Sequence, residues 1–394
     1  MILSLFINLG ILGFFKYYNF FIDSFLDFAN IFNVSLNVYT LNIILPVGIS
    51  FYTFQTLSYT IDIYYGKLKP TRNVVSFFTF VAFFPQLVAG PIERAGRLLP
   101  QFMEKKKFSY NNSVAGLRLI LWGLFKKIVI ADNLGLLVDV IFDPASEFTG
   151  ISVFMGGVLF AFQVYCDFSG YSDIAIGISK MLGFELMINF KTPFFSASFS
   201  ELWKRWHISL STWFRDYVYI PLGGSKKSQF RVDLNIFITF FLSGLWHGAH
   251  ISFVLWGSLH GVVLIIEKYL KLKLKPGIAI PFVFFIFCLL LLPFRAVDMS
   301  HLYDLLYRLS VFNFSFQEIW QSSNALLSVK KSVTLLAVIF IFMIAEYNIG
   351  LSDFNSWIGK LKNQYRISTY VVLIVTIALL GNFDVKPYFI YFQF

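Results

Sequence analysis

Residues 151–182 read ISVFMGGVLFAFQVYCDFSGYSDIAIGISKML. A helix that crosses the lipid core needs about 20 predominantly apolar residues. This run exceeds that, and only Asp167, Asp173 and Lys180 in it carry charge. Working outward, the same texture returns at roughly 1–22, 41–65, 113–131, 232–248, 250–268, 278–297, 332–349 and 367–381. Hydrophobic residues make up 57% of the 394-residue chain and charged residues 14%, against about 25% charged in an ordinary soluble domain. A globule with so little charge would expose more apolar surface than water tolerates, so these runs suit lipid as solvent. The sequence predicts an all-α, polytopic integral membrane helical bundle.

The remaining composition narrows the function classes. Lys and Arg outnumber Asp and Glu by 32 to 22. In a membrane protein that excess is explained by cytoplasmic loops and anionic headgroups rather than by nucleic acid. The 50 Phe, 20 Tyr and 8 Trp suit helix packing and interfacial belts. Two cysteines, Cys166 and Cys288, each within an apolar stretch, support neither a disulfide framework nor a Cys-based zinc site. Met1–Tyr17 lacks a basic start and a small-residue cleavage site, so it reads as a retained span, not a signal peptide. With no internal repeat and no low-complexity tail, residues 1–394 read as a single membrane-embedded domain, its motifs concentrated in about 41–268.

Two segments depart from simple spans. Residues 74–90 are short for a crossing and are flanked by Lys67, Lys69 and Arg72 before and by Arg94, Arg97 and Lys105–Lys107 after. If both clusters face the cytoplasm, the segment is re-entrant, with its break at Pro85 and Gly90–Pro91. Residues 191–231 are the longest stretch that is not plainly a span. Within it Trp203, Trp206, Leu210, Trp213, Phe214 and Tyr217 recur at helical spacing, opposite Lys204, Arg205, Ser209, Thr212 and Asp216. That spacing predicts one amphipathic helix over 201–217, lying at the membrane interface or lining an entrance from it.

Candidate chemistry sits on histidine. His247 lies in Ser243-Gly-Leu-Trp-His-Gly-Ala-His250, at the end of an apolar run, and His207 borders the aromatic face of 201–217. Ionisable groups at membrane depth are costly and mark function. Acyl transfer from a thioester to a hydroxyl needs a base near neutral pKa, which imidazole supplies. The bland alternative is that His247 only bonds a backbone carbonyl between helices. That structural role is the expectation for His250, His260 and His301. A metal site at His247 and His250 lacks an accompanying carboxylate or thiol. Asp167 and Asp173 read as structural, breaking a helix and hydrogen-bonding around a cavity. Lys204, Arg205, Arg215, Lys226, Lys227 and Arg231 could take phosphates or lipid headgroups alike, and no glycine-rich phosphate loop is present.

Five strings then appear in one order: Leu45-Pro-Val-Gly-Ile-Ser-Phe-Tyr-Thr-Phe-Gln55; Phe84-Pro-Gln-Leu-Val-Ala-Gly-Pro-Ile92; Tyr165-Cys-Asp-Phe-Ser-Gly-Tyr-Ser-Asp173; Trp206-His-Ile-Ser-Leu-Ser211 through Tyr219-Ile-Pro-Leu-Gly-Gly224; and Gly244-Leu-Trp-His-Gly-Ala249. Together they resemble the membrane-bound O-acyltransferase (MBOAT) family, in its bacterial alginate and peptidoglycan O-acetyltransferase branch. The likeness covers nearly the whole chain, up to Phe389-Ile-Tyr-Phe-Gln-Phe394. It implies His247 as the principal catalytic histidine and His207 as the second, in a helical bundle around a central funnel. It also implies acetyl-CoA as cytoplasmic acyl donor with no tightly bound cofactor, and a multi-pass location in the bacterial cytoplasmic membrane. An SGNH-type acetyltransferase outside the cell membrane is the implied partner, and a polysaccharide the acceptor. Family members carry further apolar segments ahead of the position matching 1–22, so either the chain begins late relative to them or those helices are missing.

Two rival functions use the same buried charges differently. A transporter or flippase for a lipid-linked sugar would use them as a permeation path, and a scaffold of a glycan-modifying complex would do no chemistry. Neither needs an acetyl group to move covalently.

Overall fold

In hydrocarbon an unpaired backbone N–H or C=O costs several kcal/mol, so a chain of this composition closes its hydrogen bonds within helices. The computed structural model describes residues 1–34, 36, 38, 40–271, 274–311 and 329–383, and these contain helices and connecting turns but no strand. The string Phe389–Phe394 lies outside the described residues. Ile2–Ile31, Ile151–Met181, Ile251–Leu270, Pro276–Arg295 and Asn363–Leu380 are each long and apolar enough to cross a membrane. The molecule is a multi-pass membrane protein.

The 31-residue helix Ile151–Met181 packs against Tyr110–Leu124, Asp132–Ile141 and Pro276–Leu290. Small residues let the first of these pairs approach closely. A side chain on Gly123 would meet the Gly170 carbonyl at 2.5 Å, and one on Gly177 would meet the Gly116 carbonyl at 2.6 Å. Residues 116 and 123 thus face 177 and 170, which makes the two helices antiparallel. Gln229–His247 and Ile251–Leu270 form a second antiparallel pair, pinned where Gly257 leaves only 2.8 Å between a built side chain and Gly244.

The expectation that Asp167 and Asp173 break their helix is wrong. Ile151–Met181 runs through both without interruption. The carboxylates meet lysines on the adjacent helical segment: Lys127 Nζ lies 2.6 Å from Asp167 Oδ1, and Lys126 Nζ lies 2.7 Å from Asp173 Oδ2.

Residues 74–90 do break, into Val74–Val81 and Phe84–Leu87. Asn73 caps the first piece by accepting from Ser76 N at 3.0 Å, and Pro85 sits in the first turn of the second. Eight helical residues rise only about 12 Å, well short of a crossing. The apolar stretch 41–65 becomes helical only at Ile49, after Gly48 takes a left-handed φ of 77°.

Candidate active site

The aromatic spacing over 201–217 predicts one continuous helix, and the structure corrects it. Phe199–Arg205 and Ile208–Phe214 are separate helices, followed by a π-helical turn Arg215–Tyr219. The break has a long-range cause. Backbone of the preceding segment takes the groups a continuous helix would use: Lys191 N donates to Arg205 O at 3.0 Å, and Ile208 N donates to Asn189 O at 2.9 Å. Between them His207 adopts φ 43° and ψ 53°, the left-handed region. Nor does the aromatic face lie on the membrane interface, since Trp203, Trp206, Leu210, Trp213 and Phe214 are buried within the protein.

The break aims His207 inward. Its ring centroid lies 6.2 Å from that of His247. Both are buried, at 1% and 6% exposure. His247 is the last residue of Gln229–His247, so the pair joins the end of one long helix to the kink between two short ones. Aromatic rings enclose it: Phe168 stands edge-on to His207 at 4.6 Å, and Trp256 and Phe294 stand edge-on to His247 at 5.0 and 5.5 Å. Gly244 and Gly248 serve close approach. The neighbours they admit are the Phe253 carbonyl and the Phe253 ring.

All five quoted strings converge here. Ser209 Oγ donates to Asn189 Oδ1 at 2.6 Å and accepts from Ile92 N at 3.0 Å, while Asn189 Nδ2 donates to Ser172 Oγ at 3.0 Å. Phe54 stacks on Trp213 at 3.8 Å and lies 5.4 Å from Trp246. Asn189 joins two of the strings directly and a third through Ser209. It lies in none of them, and nothing in its own neighbourhood marks it in the sequence.

Two cavities lie near the pair. One of about 480 Å³ is lined by Phe190 and by Ile208, the residue after His207, and carries Arg97, Lys126, Lys180, Lys191 and Lys204 in its walls. Another of about 280 Å³ reaches His247 and Trp246 from the side of Lys16 and Gly48. Of the basic set 204–231, only Lys204 lines the first cavity; Arg205 pairs with Glu201, and Arg215 with Asp216. Lys126 belongs to none of the motifs quoted above, yet it is buried in that wall, bonded to Ser169 Oγ at 2.9 Å. Beside it Tyr165 Oη donates to Glu346 Oε2 at 2.5 Å.

The other three histidines have contacts of their own. His250 accepts from Ser252 N at 3.3 Å and so caps Ile251–Leu270, which places it across a helix break from His247 and not on the same face. His301 accepts from Val297 N at 3.2 Å. His260 is fully buried, 5.1 Å from Trp203 and 4.9 Å from Trp256.

Comparison with known proteins gives the same grouping. The profile of the "MBOAT, membrane-bound O-acyltransferase family" matches residues 71–276. Over 281 residues the chain is 44% identical to the "Probable alginate O-acetylase" of Pseudomonas aeruginosa, covering 71% of this chain and 54% of that one. It is 40% identical over 355 residues to the protein of the same name from Azotobacter vinelandii, covering 88% and 69%. With the "Peptidoglycan O-acetyltransferase" of Helicobacter pylori it shares 39% identity over 295 residues, covering 68% and 55%. The chain thus spans about half the length of the Pseudomonas and Helicobacter relatives. The matched profile takes in both histidines and four of the five converging strings in full, and the chain belongs to the membrane-bound O-acyltransferase family.

Proposed function

We propose that this chain moves an acetyl group from a cytoplasmic thioester, acetyl-CoA, to an acceptor on the far side of the bacterial cytoplasmic membrane. The end product is an O-acetylated polysaccharide outside the cell membrane. The observation that carries the reading is the His207–His247 pair, 6.2 Å apart, with a basic-walled cavity lined by Ile208, next to His207 in the chain, and a second cavity reaching His247. A charged thioester carrier cannot enter lipid, and a hydroxyl outside cannot reach the cytoplasm. A base where two protein-lined cavities approach each other lets them react without either crossing.

The chemistry follows from the groups present. An alcohol keeps its proton at neutral pH, so attack on the thioester carbonyl needs a base. In this reading His247 takes the hydroxyl proton as the oxygen–carbon bond forms. The carbon–sulfur bond then breaks, and the proton passes to the departing thiolate. His207, on the donor side, polarises the carbonyl. The lysines and arginine of the larger cavity favour an anionic carrier, and clustered cations favour the cytoplasmic face. The similarity to proteins named for alginate and peptidoglycan acetylation supports a polysaccharide as final acceptor. An SGNH-type acetyltransferase is the proposed intermediary.

The test uses purified protein in proteoliposomes with acetyl-labelled acetyl-CoA and a candidate partner. The wild type should transfer label, and His247→Ala should lose it by about 10²–10⁴-fold, the usual worth of a general base, while inserting normally. His207→Ala should be severely impaired. Full transfer by His247→Ala refutes the assignment. A wild-type protein that transports but never transfers label marks the flippase, and acetylation indifferent to both histidines marks the scaffold.

A further inference from the structure

The helix that carries His247 is finished from outside. The last carbonyls of any α-helix lack intrahelical donors, and many helices cover them with a left-handed residue just past the end. Here Gly248 is extended, at φ −156° and ψ 150°, and supplies no such cap. Two residues of the N-terminal helix do the work instead. Tyr17 Oη donates to Leu245 O at 2.8 Å. Lys16 Nζ donates to Trp246 O at 2.7 Å and to His247 O at 3.1 Å, and it reaches Ser50 Oγ at 3.4 Å. Three successive carbonyls are thus held by one pair of neighbouring side chains. Both belong to the π-helical turn Gly13–Tyr17, an irregularity often found at functional sites.

From this geometry we infer that Lys16 is a positioning residue for His247, its ammonium clamping the end of the helix so that the imidazole faces His207. The inference rests on the function proposed above. The three hydrogens of the ammonium match the three oxygens around it, so its role is to hold protein, not substrate. Its charge meets the negative end of the helix dipole, where a cation is favoured. It also lines the 280 Å³ cavity that reaches His247 and a neighbouring one bordered by Asn19, His250 and Arg295, so it is held at the mouth of the site and not sealed inside the bundle.

The experiment separates the cation from the packing. Lys16→Cys, assayed in proteoliposomes, should lose about 10²-fold in kcat, as expected for a misplaced catalytic group, with the KM for acetyl-CoA unchanged. Alkylation of that variant with 2-bromoethylamine rebuilds a side chain of lysine length and charge, and should restore most of the turnover. 2-Bromoethanol, which adds a neutral chain, should not. The native thiols Cys166 and Cys288 are buried, and wild type treated in parallel gives the background. Undiminished kcat in Lys16→Cys, or equal rescue by both reagents, or no rescue by the amine, overturns the inference. If Lys16→Cys does not reach the membrane, Lys16→Arg decides: it keeps the cation and the donors, and an inactive but well-folded Lys16→Arg is also fatal. Absence of transfer by the wild type instead sinks the proposed function and is told apart at once.

Discussion

At the scale of the residue, His207 does two jobs that ordinary truncation confounds. It carries an imidazole to His247, and it occupies a left-handed backbone position, φ 43°. For most L-residues that conformation costs about 1–2 kcal/mol, and a β-branched one is a true outlier there, whereas Asn tolerates it. His207→Asn should therefore keep the thermal midpoint of the purified protein near wild type while severely impairing acetyl transfer. His207→Val should lose transfer and also melt several degrees lower, because the kink itself is strained. Equal melting of the two variants in a detergent thermal-shift assay contradicts this account of the break. The same logic explains why the histidine stays buried without filling a helix face: the kink, not the helical period, sets its direction.

Among the elements, the close helix pairs hold the site by the absence of side chains. Gly170 sits where a Cβ would be 2.8 Å from the Gly123 carbonyl and 3.1 Å from Lys127 N. Leucine has the better helix propensity by about 1 kcal/mol, but forcing bulk into a packed contact costs about 1–3 kcal/mol and shifts backbone. The clash wins. Gly170→Leu should lower both the melting temperature and the yield of folded protein in membranes, since it also pushes Lys127 away from Asp167. Gly277→Leu, with nothing within 4 Å of the added carbon, should behave as wild type, and a destabilised Gly277→Leu would make propensity or insertion the issue, not packing. This scale also shows what the sequence could tell. Long apolar runs are legible because composition alone dictates them, and so is His247 at the end of one. The break at His207 is not, because the local aromatic spacing agrees with a helix and only the distant partners Asn189 and Lys191 override it. Lys16, a lone cation within an apolar run, and Lys126, paired with Lys127 within another, carry a usable signal, but their partners are set by packing between helices remote in sequence.

Across the whole molecule, the two cavities impose a topology. The larger is walled by Arg97, Lys180, Lys191 and Lys204, a cluster that the positive-inside rule assigns to the cytoplasm. The cavity beyond His247 is continued by one lined by Asn19, His250 and Val297, with Lys16 common to both. If an acetyl group passes between compartments at the histidine pair, Lys204 and Val297 must face opposite sides. The short helices Val74–Val81 and Phe84–Leu87, too brief to cross singly, should then return the chain to the side it left. Lys69 and Gly96, both exposed, bracket that segment. A membrane-impermeant thiol reagent should label Lys204→Cys, Lys69→Cys and Gly96→Cys only in inside-out vesicles, and Val297→Cys in intact spheroplasts. Labelling of Lys69→Cys and Gly96→Cys from opposite sides would remove the re-entrant turn and leave the funnel. Labelling of Lys204→Cys and Val297→Cys from the same side would remove the funnel, because both cavities would then open to one compartment and the histidines would have no second substrate to meet.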